Sequence, residues 1–180
     1  MRALSYAGWM HILSTERLSL REFTPADANF ILELVNDPDW HRNINNPGVV
    51  DEASALIWME GRLFEAYRRS GHGFWAVERL DTGELIGMCG LFKRDALPLP
   101  DVGYGFVPRG RGQGFAREAA AACLKHGHEK LGMTSILAIT ALDNQPSVDL
   151  LLQIGMREQG VEQLAGYDEP SRVFKWEAPV

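Results

Sequence analysis

Apolar positions recur along the chain in two periods, and each switch between them marks an element boundary. Arg17 to Phe23 (RLSLREF) alternates and predicts a first strand. Thr24, Pro25 and Asp27 then carry a helix start: a capping hydroxyl, a proline at the first helical position and an acid three residues after the cap. That helix sets Ile31, Leu34 and Val35 on one face and should stop before Asp37-Pro38, because a residue preceding proline avoids the helical region. A second helix is predicted from Asp51 to Gly71, with Leu56, Met59, Leu63 and Tyr67 at three- and four-residue steps.

Phe74 to Glu78 and Leu85 to Leu91 flank a turn at Asp81-Thr82-Gly83 and read as a hairpin. A fourth strand, Val102 to Val107, ends at Pro108, and a glycine-rich run leads into an alanine-dense helix, Phe115 to Leu131, closed by Gly132. Ile136 to Ile139 has the character of a fifth strand buried on both faces. Pro146 opens a last helix through Leu151, Leu152 and Ile154, stopped by Gly155, and Arg172 to Glu177 alternates as the final strand. The order β-α-α-β-β-β-α-β-α-β-β is that of a mixed α/β chain. At 180 residues it is the length of one domain, assigned here to 12–180, with residues 1–11 as a flexible N-terminal extension.

Composition narrows the partners. The chain is 46% hydrophobic and 23% charged, with a net charge of −6. An acidic protein of this kind has no broad positive field for nucleic acid or anionic lipid, so neither nucleic acid nor membrane is an expected partner. Cys89 and Cys123 are too few for a disulfide framework and lack metal-ligand spacing, so no metal is expected. No apolar run reaches the roughly 20 residues that span a bilayer, and a cytoplasmic location is expected.

The stretch with chemical content is Pro108 to Ala116 (PRGRGQGFA), between a strand and a helix. Its glycines allow positive φ and close approach of a ligand to the main chain. The first turn of the next helix offers N–H groups without intrahelical acceptors, at the positive end of the helix dipole. Together these can cradle a phosphate. Residues 108–130 hold Arg109, Arg111, Arg117, Lys125 and Lys130 against Glu118 and Glu129, a local charge of +3 that leaves −9 for the remainder. The same string would also serve a plain strand-to-helix loop that needs glycine for geometry and arginine for solubility. Neither the P-loop string GxxxxGK followed by Ser or Thr nor a GxGxxG or GxGxxA string is present.

What the letters Arg109-Gly110-Arg111-Gly112-Gln113-Gly114 do match is the acetyl-CoA-binding signature Gln/Arg-x-x-Gly-x-Gly/Ala. Gly103-Tyr104 precedes it, Phe115 to Ala119 continues it, and Asn144 to Ser147 with Gly155-Met156 closes the segment. On these residues the chain resembles the GNAT superfamily of N-acetyltransferases. Ser14 to Arg21 (STERLSLR) is similar to the opening strand of the branch with the ribosomal-protein N-terminal acetyltransferases (RimJ/RimL-like). The resemblance covers about residues 12 to 177. It implies a single-domain α/β fold: a central, mostly antiparallel sheet of about seven strands, the fourth and fifth splayed apart, flanked by about four helices.

The resemblance also implies a use for particular residues. Acetyl-CoA would enter the gap between the fourth and fifth strands, its pantetheine amides facing Phe106 and Val107. Its pyrophosphate would lie on the main chain from Arg111 through Gly112, Gln113, Gly114 and Phe115 to Ala116, with the Arg109 and Arg111 side chains reaching phosphates. Asn144 and Ser147 would contact the cofactor. The acetyl group would pass directly to a primary amine, on a peptide N-terminus or a small molecule, within a ternary complex; a homodimer is compatible with this. Many members carry a tyrosine seven residues after the asparagine, where this chain has Leu151, so Ser147 is the nearest hydroxyl to protonate the thiolate. Asp101 is the candidate base and Tyr104 a cleft residue, while Trp40, Tyr167 and Asp168 mark the acceptor side. Glu118 reads as a cap or ion pair on the helix, Cys89 and Cys123 as inert thiols, and His72 as a surface residue. The alternative to an enzyme is an acyl-CoA-binding regulatory module that has lost catalysis.

Overall fold

A computed structural model describes residues 10–179, so residues 1–9 of the expected N-terminal extension lie outside the described residues. The strands are β1 (His11–Ser14), β2 (Leu18–Arg21), β3 (Phe74–Arg79), β4 (Leu85–Phe92), β5 (Asp101–Phe106), β6 (Ser135–Ala141), β7 (Arg157–Glu162) and β8 (Ser171–Glu177). They form one sheet in the order β1-β2-β3-β4-β5-β6-β8-β7. Every neighbouring pair is antiparallel except β5 and β6, which run parallel and share one registered pair, Asp101 with Leu137. The mixed α/β single domain with a mostly antiparallel sheet is therefore present, with eight strands rather than about seven. The added one is β1, whose His11 already pairs with Arg21.

The helices are α1 (Ala28–Val35), α2 (Pro38–Asn43), α3 (Glu52–Met59), α4 (Glu65–Ser70), α5 (Phe115–Leu131) and α6 (Gln145–Gln153). A 3-10 turn at Pro25–Asp27 leads into α1, and a wider π turn at Glu60–Phe64 joins α3 to α4 into the single predicted helix. Asp51 caps α3 by accepting from the Ser54 N–H at 2.8 Å, and Gly71, with φ of 70°, ends α4. Counting that join as one, five helices stand where about four were expected. The extra one is α2, a polar segment (PDWHRN) with Trp40 as its one buried residue, which gives no apolar period to read.

Helices α5 and α6 cover one face of the sheet, where Phe115, Ala119, Cys123, Val148 and Leu151 pack on Leu18, Leu20, Ile86, Cys89 and Phe174. On the other face Ile31, Leu34, Val35, Met59 and Leu63 pack on Ala76, Met88 and Val107. Burial of these side chains, each contributing about 1.5–3 kcal/mol, holds the layers together. β5 continues along β4 as far as Gly87 opposite Phe106, while β6 stays with β8 over its whole length. Past Asp101 the two centre strands part, and a gap opens between them.

Candidate active site

The bend at the end of β5 is built from two left-handed glycines. Gly112 and Gly114 have φ of 72° and 79°, which an L side chain rarely adopts. This conformation turns the chain from β5 into α5 and leaves a row of donors free. Among the described residues the N–H groups of Gly112, Gln113, Gly114, Phe115, Ala116 and Arg117 have no acceptor, and α5 closes its first bond from Glu118 N–H to the Gly114 carbonyl at 3.1 Å. Exposed main-chain donors at a helix N-terminus suit a diphosphate.

The cations beside this row are not the two expected. Arg109 turns away to Glu33, Glu84 (2.7 Å) and the Leu85 carbonyl (3.2 Å). Arg111 donates to the Phe106 carbonyl at 2.8 Å, to Asp39 at 2.9 Å and to Asp37 at 2.6 Å. Each guanidinium is held by a carboxylate of the α1–α2 side, Arg109 by Glu33 and Arg111 by Asp37 and Asp39, and Arg109 is held also by Glu84 of the β3–β4 turn. The arginines that flank Gly114 are instead Arg17 and Arg117, whose Nη2 atoms would lie 3.4 and 4.0 Å from a Cβ placed there. Arg17 also donates to the Gln113 carbonyl at 2.8 Å and lies over the Phe115 ring at 4.5 Å. Glu118 anchors it: the Glu118 carboxylate accepts from Arg17 Nε at 2.7 Å, Arg17 N–H at 2.9 Å and the Thr15 hydroxyl at 2.5 Å. The expected cap-or-pair role of Glu118 is thus an ion pair to the turn between β1 and β2.

The gap between β5 and β6 has donors of its own. Val107 N–H is bonded to the Ile86 carbonyl at 3.1 Å. This corrects the expectation that Val107 faces the gap, since its N–H is used by the sheet. No register shift interrupts the β4–β5 ladder, so alternation points the N–H groups of Tyr104 and Phe106 the other way, into the gap. Across the gap Tyr104 and Ser147 meet, hydroxyl to hydroxyl, at 2.7 Å. Asn144 caps α6 by accepting from Ser147 N–H at 3.3 Å, which seats Ser147 in the first helical turn. Burial pushes the Tyr104 phenol up to about 12, against the opposing hydrogen bond from Ser147.

These groups line a single cleft of about 1340 Å³ that runs from Arg111 and Ala116 past Tyr104, Asn144 and Ser147 to Asp101, Trp40, Tyr167 and Asp168. Asp101 is not the loop charge or free base its position suggested. It is 1% exposed, and Arg94 binds both its oxygens at 2.7 and 2.8 Å. Burial raises its carboxyl above the usual range even so. Trp40 packs edge-on to Trp58 at 6.4 Å and lies against Gly105, and its indole N–H has no acceptor among the described residues. Tyr167 accepts a hydrogen bond from Arg94, while Asp168 has no ionic partner among the described residues. His72, expected at the surface, is 9% exposed, with Nδ1 2.6 Å from the Leu91 carbonyl. Leu151 is buried in the core, so no phenol stands at that position. Cys89 and Cys123 are both buried, as inert thiols should be, with sulfurs 3.6 Å apart.

Arg17, Arg94 and Arg117 went unread as site residues. A lone arginine beside an acid has no local signature; Arg17 and Arg117 lay in segments marked out by resemblance, and Arg94 did not. Among the described residues no group of three or more His, Cys, Asp or Glu side chains converges on a metal-sized point, and no helix is long and apolar enough to cross a membrane.

Known proteins place this geometry. The sequence model described as "Acetyltransferase (GNAT) domain" matches residues 17–157. An uncharacterized N-acetyltransferase of Bacillus subtilis (strain 168), YoaA, is 31% identical over 153 residues, 83% of this chain and 85% of the relative. Among solved structures, an acetyltransferase from Agrobacterium tumefaciens str. C58 superposes with a TM-score of 0.78 at 24% identity, over 99% of this chain and 100% of that one. RimL, a ribosomal L7/L12 α-N-protein acetyltransferase solved with coenzyme A, gives 0.79 at 15% identity, over 93% and 97%. Because the family match runs from the edge of β2 to the start of β7, it takes in both the split in the sheet and the bend beneath α5, and the chain belongs to the GNAT family of acetyltransferases.

Proposed function

We propose that the protein transfers the acetyl group of acetyl-CoA directly to the primary amine of an acceptor held in the far half of the cleft, favouring an α-amine. The observation that carries this reading is the row of free N–H groups from Gly112 to Arg117, of which Ala116 lies in the wall of the cleft where Tyr104 and Ser147 meet. The residues fit the cofactor: a Cβ at Gly112 would meet nothing within 4 Å, but its left-handed φ excludes ordinary side chains and keeps the donors bare. The main chain of 112–117 binds the diphosphate, with Arg17 and Arg117 beside it. The gap-facing N–H groups of Tyr104 and Phe106 bind the pantetheine arm and meet charge that develops on the thioester oxygen. Bound acetyl-CoA supplies the activated acyl group. Ser147, hydrogen-bonded to Tyr104, gives its proton to the departing sulfur and regains, through Tyr104, the proton that the attacking amine loses as the amide bond forms, so both hydroxyls end protonated. Holding both reactants in the cleft contributes much of the acceleration.

The preference for an α-amine follows from the absence of a free base at Asp101. At pH 7.5 about a quarter of α-amines with a pKa near 8 are neutral, against about 0.1% of lysine side chains with a pKa near 10.4. An acceptor that is already partly deprotonated asks least of the protein. Asp95, Asp168 and Glu169 line the acceptor end without ionic partners among the described residues and draw a positively charged end towards it.

The test is calorimetric titration with coenzyme A, followed by free-thiol release from acetyl-CoA in the presence of peptides and small amines. Binding with thiol release that depends on the amine is the expected result. Absence of binding sinks the reading. Binding without turnover of any amine favours a second one, a regulatory acyl-CoA-binding module, for which the burial of Leu151 in place of a cleft-facing phenol is the specific motive.

A further inference from the structure

The loop between β4 and β5 carries a largely buried cation. Arg94 is 23% exposed and divides its guanidinium between two partners. Nε and Nη2 donate to the two oxygens of Asp101 at 2.7 and 2.8 Å, and Nη1 donates to the Tyr167 hydroxyl. Asp101 is also the residue at which β5 and β6 still pair, with Leu137 N–H bonded to the Pro100 carbonyl at 2.9 Å. The arginine therefore sits at the vertex of the split sheet, and through Tyr167 it holds the loop of residues 163–170 against that vertex. The contact is reinforced below, where Leu97, Leu137 and Leu164 pack together. Asp168 and Glu169, which line the acceptor end of the cleft, ride on the held loop.

We propose that Arg94 is a positioning residue that moors the 163–170 loop to the vertex and so sets the width of the acceptor half of the cleft. The inference rests on reading that half as the amine site. The geometry calls for arginine in particular. A planar fork can serve a carboxylate with two nitrogens and a phenol with the third donor; a lysine ammonium, a single point, can satisfy one of them well. Neutralising Asp101 alone would need no more than a charge, so it is the second arm, to Tyr167, that marks mooring as the purpose. The diphosphate half has separate ties, Arg17 to Glu118 and Arg111 to Asp37 and Asp39, none of them shared with Arg94.

Two variants test this without stranding a buried charge. Tyr167→Phe removes the mooring bond and keeps the Asp101 pair, and Arg94→Lys keeps a cation beside Asp101 but loses the fork. In both, amide hydrogen exchange in 163–170 should quicken by about ten-fold while that of 112–118 is unchanged, as expected for loss of one charge-assisted hydrogen bond. In turnover, KM for the amine should rise by about ten-fold while KM for acetyl-CoA stays within about two-fold, a split that general loss of structure would not give. Unchanged exchange in 163–170 in both variants, or equal losses in amine and acetyl-CoA affinity, overturns the proposal. If the wild-type protein acetylates no amine, the exchange measurement decides the mooring by itself, and the acceptor reading falls separately.

Discussion

The phenolic oxygen of Tyr104 lies 2.7 Å from Ser147 Oγ, so a side chain of β5 and one in the first turn of α6 bridge the opening where β5 and β6 part. Neither residue approaches the other through local sequence. The pair exists because the split sheet turns Tyr104 towards the helix and Asn144 caps that helix three residues before Ser147. Burial holds Tyr104 protonated, its pKa pushed up to about 12. Through the whole neutral range both groups therefore keep their protons, and either hydroxyl can donate to the other.

From this pairing, Ser147→Ala should lower kcat by about 10- to 100-fold, within the usual range for a general acid, and Tyr104→Phe by about ten-fold. KM for acetyl-CoA should change little in either. The double variant should be no slower than the worse single one, because the two hydroxyls act as a unit. Because Tyr104 ionises only near 12, neither loss should shift a kcat–pH profile recorded below pH 10. Losses that multiply in the double variant would separate the two hydroxyls and remove the relay.

Trp40 is seated on bare backbone. A Cβ at Gly105 would stand 2.6 Å from its Cζ3, and one at Gly103 2.7 Å from Cε1 of Phe74. Gly105→Ala should therefore push the indole off the sheet, with a loss of about 1–3 kcal/mol and a fall in Tm of about 2–4 °C for each kcal/mol. Thermal unfolding checks the stability, and a rise in amine KM checks the displacement of the cleft wall. A Tm equal to that of the parent would show that Trp40 yields without cost.

Glu118 links stability to pH. Burial raises its carboxyl, but hydrogen bonds from Thr15 and Arg17 and the Arg17 charge outweigh this and hold it below the usual glutamate range. A depressed folded pKa stabilises the protein above the unfolded value near 4.3, and that contribution is lost as pH falls through the folded one. Glu118→Gln should cost about 1 kcal/mol at pH 7. The difference between variant and parent in urea midpoints should then shrink below about pH 4. Midpoints that stay equally far apart at pH 3 and pH 7 would deny the ion pair this role.

Cys89 and Cys123 lie with sulfurs 3.6 Å apart, both fully buried, one on β4 and the other on α5. Burial pushes the Cys123 thiol up, which leaves little thiolate. Native protein at pH 8 should resist iodoacetamide at both positions, and both should label in urea. Turnover should persist within about three-fold in Cys89→Ala and in Cys123→Ala. Stoichiometric labelling of native protein with loss of activity would argue for an acyl-cysteine route in place of direct transfer.

Much of this architecture was legible from local signals. The alanine-dense run closed by Gly132 is α5 from Phe115 to Leu131 as read, and the hairpin around Asp81-Thr82-Gly83 is β3 and β4 within a residue or two. The bend of Gly112 and Gly114 was recognised because positive φ is a property of a single residue. β1 and α2 were not, since four residues show too little alternation and a polar turn of helix shows no apolar period. The same limit governs the site: which residue types surround the cleft was readable, and which of them touch was not.

The chain by itself determined the elements, the left-handed bend and the presence of acids, phenols and arginines near it, because period, capping and φ are settled within a few residues. Only the assembled sheet and its helical layers decided partners: Arg109 and Arg111 to carboxylates of the first helical layer, Arg17 and Arg117 to the bend, Tyr104 to Ser147, and Arg94 to Asp101 and Tyr167. With 18 basic and 24 acidic side chains available, spacing along the chain does not select among them. Arg94 and Tyr167 are 73 residues apart and meet because β6, β7 and β8 fold the later loop back over the vertex of the split. Ion pairs of that kind are chosen by burial, where a carboxylate such as Asp101 must find a countercharge within reach.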